Sequence, residues 1–303
     1  MENEAPIADA SLREQLCDES FLLPTGVPGV FGYGRPMVLA LAAVRQAIVD
    51  AWGEPTMTVT EFPAVMSRAT LTQAGYVASF PHLVGSIRAL PAGAGEPEAD
   101  GEAWEKALAA TDYVLAPASC YPVYPLHSGK LPAAGALVQV TGNCFRHEPS
   151  EDPDRLVSFR QLEFVRIADR DQTTSWFEQG REKMRQIGVG LGFQATVDSA
   201  SDPFFGPARR ILSAMQKNDG SKFELLTRVG KRDDVAVASA NSHLTHLTRK
   251  FGIHTADGEE ATSACVAFGL ERLVFALVTQ HGTDLRDWPA GLGAANTAGT
   301  GRP

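Results

Sequence analysis

Two segments far apart in the chain each set an arginine inside an otherwise apolar element. The first is Phe145-Arg146-His147-Glu148, then a short acidic loop, then Arg155-Leu-Val-Ser-Phe159-Arg-Gln-Leu-Glu163. The second is Phe268-Gly269-Leu270-Glu271-Arg272-Leu273. A guanidinium among apolar side chains is costly unless an anion or a carboxylate meets it. Residues 136–148 and 157–168 read as two strands joined by Pro149-Ser-Glu-Asp-Pro-Asp154, a loop of turn residues and acids. Strand side chains alternate, so Arg155, Phe159 and Glu163 share a face, as do Arg146 and Glu148 on the partner strand. Arginine forks suit phosphate oxygens and an exposed ring suits stacking on a purine. A surface hairpin laced by salt bridges among Arg146, Glu148 and Arg155 is the alternative. Gly269 opens a helix that places Arg272 in its first turn, against the positive end of the helix dipole, a mismatch of some tenths up to about 1 kcal/mol. An anionic ligand reverses that sign; a salt bridge to Glu271 or a distant acid would offset it.

These elements sit in a chain whose periodicity predicts an α+β fold. Val38, Leu41, Val44, Ile48 and Trp52 mark an amphipathic helix ended by Gly53, and Ser11-Leu-Arg-Glu14 reads as a capping box for a short opening helix. Strand patterns fall at 112–118, 136–147, 157–168, 222–229, 234–240 and 261–268, with helical stretches near 174–190 and 206–217. Residues 90–102 form a loop within one domain, since the pattern resumes at Trp104 and Leu108. The expected organisation is a disordered 1–10, a single domain over 11–287, and a flexible Gly/Ala/Thr-rich tail over 288–303.

Bulk properties narrow the function. The 303 residues are 44% apolar with a net charge of −9, which disfavours extended contact with a nucleic-acid backbone. No apolar run reaches the roughly 18 to 20 residues of a membrane span. The N-terminus has no signal-peptide character. Cys17, Cys120, Cys144 and Cys265 are scattered without a CxxC pair, the usage of a reducing cytoplasm. His243 and His246 stand at i, i+3, as two residues sharing one helical face would, but no third metal ligand lies near them in sequence. Supporting, substrate-loop and purely structural roles all remain open for the pair. Arg209, Arg210, Lys217, Lys222, Arg228, Lys231 and Arg232, against Asp219 and Glu224, make a basic island that either docks an acidic partner or is merely solvated.

The arginine segments together resemble motifs 2 and 3 of the class II aminoacyl-tRNA synthetases. More specifically, about residues 62–277 are similar to the amino acid:[carrier protein] ligases, relatives of the catalytic core of the atypical, methanogen-type seryl-tRNA synthetases. The similar stretches include Phe62-Pro63-Ala-Val65, Ser79-Phe80-Pro81-His82-Leu83, Ser119-Cys120-Tyr121-Pro122 and Asn241-Ser-His243-Leu-Thr-His246. The resemblance implies an antiparallel sheet flanked by helices, and a homodimer with Pro63 at its interface. It implies that Arg146 grips the α-phosphate of ATP, Glu148 contacts adenine, Phe159 stacks on the base, Arg155 lies near the terminal phosphates and Arg272 binds the γ-phosphate. A second register, Arg160-x-x-x-Phe164, also fits motif 2 but would turn Glu163 away from the active face. By the same resemblance Cys120, Glu163 and Cys265 hold a Zn²⁺ that takes the substrate amine, while Cys17 and Cys144 are packing residues.

The reaction implied by this likeness is ATP-dependent activation of a small amino acid (glycine, alanine or serine) to an aminoacyl-adenylate, then transfer to the phosphopantetheine thiol of an acyl carrier protein. Two patterns depart from the synthetases. Motif 1 arrives by residue 63 with no tRNA-reading domain before it, which disfavours tRNA as a partner. The strand Val235-Ala-Val-Ala-Ser239 lacks the Glu that often holds Mg²⁺, leaving Glu224 as the candidate for part of that role. A seryl-type tRNA synthetase of reduced size and a non-catalytic synthetase paralogue are the competing readings.

Overall fold

The computed structural model describes residues 10–93, 101–205, 209–290 and Leu292. Its centre is a seven-stranded sheet. The strands are β1 (Thr58–Phe62), β2 (Ala136–Phe145), β3 (Ser158–Ala168), β4 (Thr196–Ser199), β5 (Lys222–Val229), β6 (Arg232–Leu244) and β7 (Thr262–Gly269). Their order across the sheet is β4-β5-β6-β7-β3-β2-β1. Every pairing is antiparallel except the edge pair β1 and β2, which run parallel, so the sheet is mixed at that edge.

Three helices cover one face: α1 (Arg35–Trp52), α2 (Arg170–Gly190) and α3 (Leu270–His281). The periodic apolar positions of α1 place Leu41, Val44, Ile48 and Trp52 in the core, whereas Val38 faces out, 53% exposed. Gly53 takes the left-handed conformation (φ 64°) that lets its N–H cap the helix end. Alternation along β3 and β7 divides the sheet cleanly. Leu162, Phe164, Val266 and Phe268 point back into the helices. There Trp52 stacks on Phe164 with ring centroids 4.0 Å apart. Cys265, Val165 and Ile167 face forward into a second core with Tyr124 and Val140.

Element positions differ from the sequence reading in a few places. The opening helix runs Ala10–Asp18, so Ser11 lies inside it rather than capping it. The expected strand 112–118 is Ala109–Leu115, and 234–240 lengthens to all of β6. The loop around residue 95 and the segment 206–208 lie outside the described residues, and the helix expected from 206 runs Arg209–Asn218. Trp288 and Leu292 are buried in the main core, and the Trp288 indole N–H donates to Gly282 O at 2.9 Å. These two residues of the expected tail thus belong to the core. Residues 1–9 and 293–303 lie outside the described part.

Candidate active site

The front face of β3, β6 and β7 forms the floor of a cavity of about 230 Å³. Phe159, Gln161 and Glu163 lie along it in a row, since alternate residues of a strand share a face. Phe164, the ring of the competing register, is fully buried on the other side, and Arg160 there pairs with Glu271 at 3.3 Å. The first register is the one that faces the cavity.

Arg146 and Glu148 both line the cavity, but not from a strand. β2 ends at Phe145, and a turn closed by Glu148 N–H to Arg146 O (2.7 Å) carries both residues. Arg146 is held by Pro117 O, which accepts from its Nε at 3.1 Å, and its guanidinium lies 5.4 Å from the centroid of the Phe159 ring. Arg272 enters from the first turn of α3 and donates to Asp154 O (2.8 Å) and Ala236 O (2.9 Å). The alternative of a salt bridge to Glu271 is not realised, because the Glu271 carboxylate meets Arg160 and Tyr33 instead. Burial lowers the Arg272 guanidinium's pKa, Asp154 opposes this, and Arg146 and Arg155 lower it further by repulsion. Among the described residues neither Arg146 nor Arg272 has a carboxylate salt bridge. Arg155 stays in the loop before β3, not on it. It stands 4.0 Å from Glu148, and its Nε is buried without a partner. Arg146 and Arg272 line the cavity with backbone carbonyls as their hydrogen-bond partners, and Arg155, with its unpartnered Nε, stands beside it.

At the far end of the row Cys120, Glu163 and Cys265 come together from the turn entering Tyr121–His127, from β3 and from β7. Ser119 donates twice to one oxygen of Glu163, from its N–H (3.0 Å) and its hydroxyl (2.9 Å). Burial pushes the Glu163 carboxyl up to about 7, Cys265 adds to this, and the bonds from Cys120 and Ser119 oppose it. Cys265 is held well below the ordinary thiol range, chiefly by a hydrogen bond from Cys120, with His243 and Asn241 also favouring the thiolate. Asn241 Nδ2 lies 3.7 Å from its sulfur. His243 joins the cluster from β6, and its Nε2 is buried with no partner. Two sulfurs, a carboxylate and an orphaned imidazole nitrogen are donors suited to Zn²⁺. The donor chemistry fits the ion, although among the described residues no three of these side chains have the spacing of a formed metal centre.

Several expectations change. His243 and His246 share no helical face, because His243 is the penultimate residue of β6 and His246 begins the helix His246–Lys250, its Nε2 3.2 Å from Lys250 Nζ. The basic island is not one surface. Lys222 is buried between Asp202 (2.6 Å) and Glu224 (3.0 Å), and Arg232 pairs with Asp154 at 2.9 Å. Glu224 does reach the cavity, opposite Ser239, but shares the Lys222 ammonium. Cys144 is buried and Cys17 only partly so. Asp202, Lys222 and Gln161 line the cavity and were missed. Alternation from Phe159 to Glu163 could have found Gln161; nothing in the sequence marks Asp202, which lies in an irregular segment.

No protein-family model matches the chain. It is similar to two proteins of Bradyrhizobium diazoefficiens. "Amino acid--[acyl-carrier-protein] ligase 2" is 39% identical over 274 residues, covering 87% of this chain and 81% of the relative. "Amino acid--[acyl-carrier-protein] ligase 1" is 40% identical over 254 residues, covering 80% and 78%. The type-2 serine–tRNA ligase of Methanothermobacter thermautotrophicus is 29% identical over 189 residues, only 37% of its own length. Among solved structures, M. kandleri SerRS in complex with A. aeolicus tRNASec superposes with a TM-score of 0.80 at 17% identity, over 99% of this chain and 63% of that one. Seryl-tRNA synthetase from Pyrococcus horikoshii complexed with ATP gives 0.66 at 14%, over 92% and 60%. The structural likeness fixes the fold as class II synthetase-like. The sequence likeness, extending over most of both chains, places this chain in the amino acid--[acyl-carrier-protein] ligase family.

Proposed function

We propose that this chain activates a small amino acid (glycine, alanine or serine) with ATP and passes it to the phosphopantetheine thiol of an acyl carrier protein. The observation that carries the reading is the pair Arg146 and Arg272, converging on one cavity with carbonyl rather than carboxylate partners. Such cations call for an anionic ligand. Arg146 meets the α-phosphate and Arg272 the γ-phosphate, with Arg155 near the terminal phosphates. Phe159 stacks on adenine and Glu148 contacts its edge. Mg²⁺ accompanies the triphosphate, and Glu224 is the carboxylate nearest that role. The substrate carboxylate attacks the α-phosphorus, an O–P bond forms and pyrophosphate leaves with the electron pair. The carrier's sulfur then bonds the acyl carbon and AMP departs, the thiol proton passing to solvent. Positioning and charge stabilisation supply the rate, without a protein nucleophile.

Cys120, Glu163 and Cys265 would hold Zn²⁺, which supplies a Lewis-acid seat for the amine. Pro63 and the exposed edge strand β1 favour a homodimer. Three buried free thiols suit the reducing cytoplasm, and among the described residues no helix is long and apolar enough to cross a membrane. The catalytic unit expected over 11–287 takes in Trp288 and Leu292 as well. The family likeness and the arginine pair favour an enzyme over a non-catalytic paralogue. ATP–pyrophosphate exchange, run with each common amino acid on zinc-loaded and chelator-stripped protein, tests this. Zinc-dependent exchange with one small amino acid, abolished in Arg146→Ala, is expected. A folded, zinc-loaded protein that exchanges with none would sink the reading.

A further inference from the structure

Gln161 stands between the two ends of the cavity floor, and its amide is oriented by its own surroundings. Its Oε1 accepts the Ser119 N–H at 3.3 Å and the Cys144 thiol at 3.1 Å. Both partners are donors here, so the oxygen faces them and the NH₂ group is turned the other way. Among the described residues no acceptor meets that NH₂.

The backbone clears space around it. Its directly opposed cross-strand neighbours are Gly142 on β2 and Gly269 on β7, so neither carries a side chain beside Gln161. Gly142 also lets Ser119 approach, since a Cβ there would lie 3.2 Å from the Ser119 Cβ. Phe159 lies one same-face step before Gln161 and Glu163 one step after, each about 7 Å along β3. The row therefore reads ring, amide donor, carboxylate.

We propose that Gln161 is a substrate-binding residue whose NH₂ group donates to the carboxylate of the amino acid, fixing it between the amine end and the nucleotide end of the cavity. This rests on the activation reading above. The amine of an amino acid seated by Cys120, Glu163 and Cys265 leaves its carboxylate one same-face step back along β3, where the attack on phosphorus must begin. A neutral amide suits that place, because it orients the attacking group without neutralising its charge.

The test compares wild type with Gln161→Ala and Gln161→Glu. The second variant keeps an oxygen for Ser119 and Cys144 but replaces the donor with an acceptor, so it separates folding from recognition. In pyrophosphate exchange, Gln161→Ala raises the amino acid KM about 10- to 100-fold, the worth of a hydrogen bond to a charged group. Gln161→Glu does so at least as strongly, and the KM for ATP stays within about twofold in both. Calorimetric binding adds a readout that looser packing would not move: glycine, alanine and serine against methylamine, ethylamine and ethanolamine, which lack the carboxylate. Wild type prefers the amino acid of each pair, and both variants lose that preference. If the preference or the amino acid KM survives in Gln161→Glu, the inference is overturned. Failure of wild type to exchange with any amino acid would instead overturn the activation reading, and this inference with it.

Discussion

The arginines of the cavity are not equivalent, and their surroundings rank them. Arg272 is half-buried, pinned by two backbone carbonyls and repelled by its neighbours, so its geometry is preset for an anion. Arg155 is 40% exposed in its side chain and partly met by Glu148. Removing a preorganised donor costs about 10²–10³ in rate, whereas a screened, exposed charge contributes far less. Arg272→Ala should therefore lower kcat/KM for ATP by about 10²- to 10³-fold and Arg155→Ala by about tenfold or less, in exchange assays at fixed ionic strength. Equal losses would contradict the ranking. The sequence made these residues visible because a charge in an apolar run is anomalous by type alone. It could not tell which acids would meet them. Glu271, adjacent to Arg272 in the chain, is taken up by Arg160 and Tyr33, and the carbonyls of Asp154 and Ala236 carry no signature at all.

At the level of elements, β3 serves two environments at once. Its odd-numbered residues 159 to 163 floor the cavity, while Leu162 and Phe164 enter the helical core. Phe164→Ala removes a ring stacked on Trp52 and should cost about 3–5 kcal/mol, read from denaturant midpoints at an unchanged m-value. A loss under about 1 kcal/mol would mean the stack is not part of the cooperative core. α1 was legible because its apolar stripe is buried, and β3, β5 and β7 because their apolar residues enter the core, β7 on both faces. β1 and β4 were not, because their exposed edges lack an apolar face to mark them: β1 has no buried residue. The placement of His243 on a strand was also hidden, for i, i+3 spacing says nothing about where a strand ends.

For the molecule as a whole, β1 is an edge strand that no further strand pairs among the described residues, with Val59 64% exposed on it. Unprotected edges and exposed apolar side chains are covered in stable proteins. Sedimentation equilibrium should give twice the chain mass of 32.4 kDa, with Val59→Lys shifting the protein toward monomer. A monomer at micromolar concentration would refute the dimer. The basic island is no preformed docking face at this scale, since its Lys222 and Arg232 are paired with acids beside the cavity.

The strand made last in the sheet lies in its middle. β7 inserts between β6 and β3, which do not touch each other without it. During synthesis on the ribosome, the six earlier strands emerge as two unconnected half-sheets, each with an open edge waiting for residues 262–269. The nascent chain must keep those edges from foreign strands until then, so closure of the sheet waits on the strand that is last in chain order.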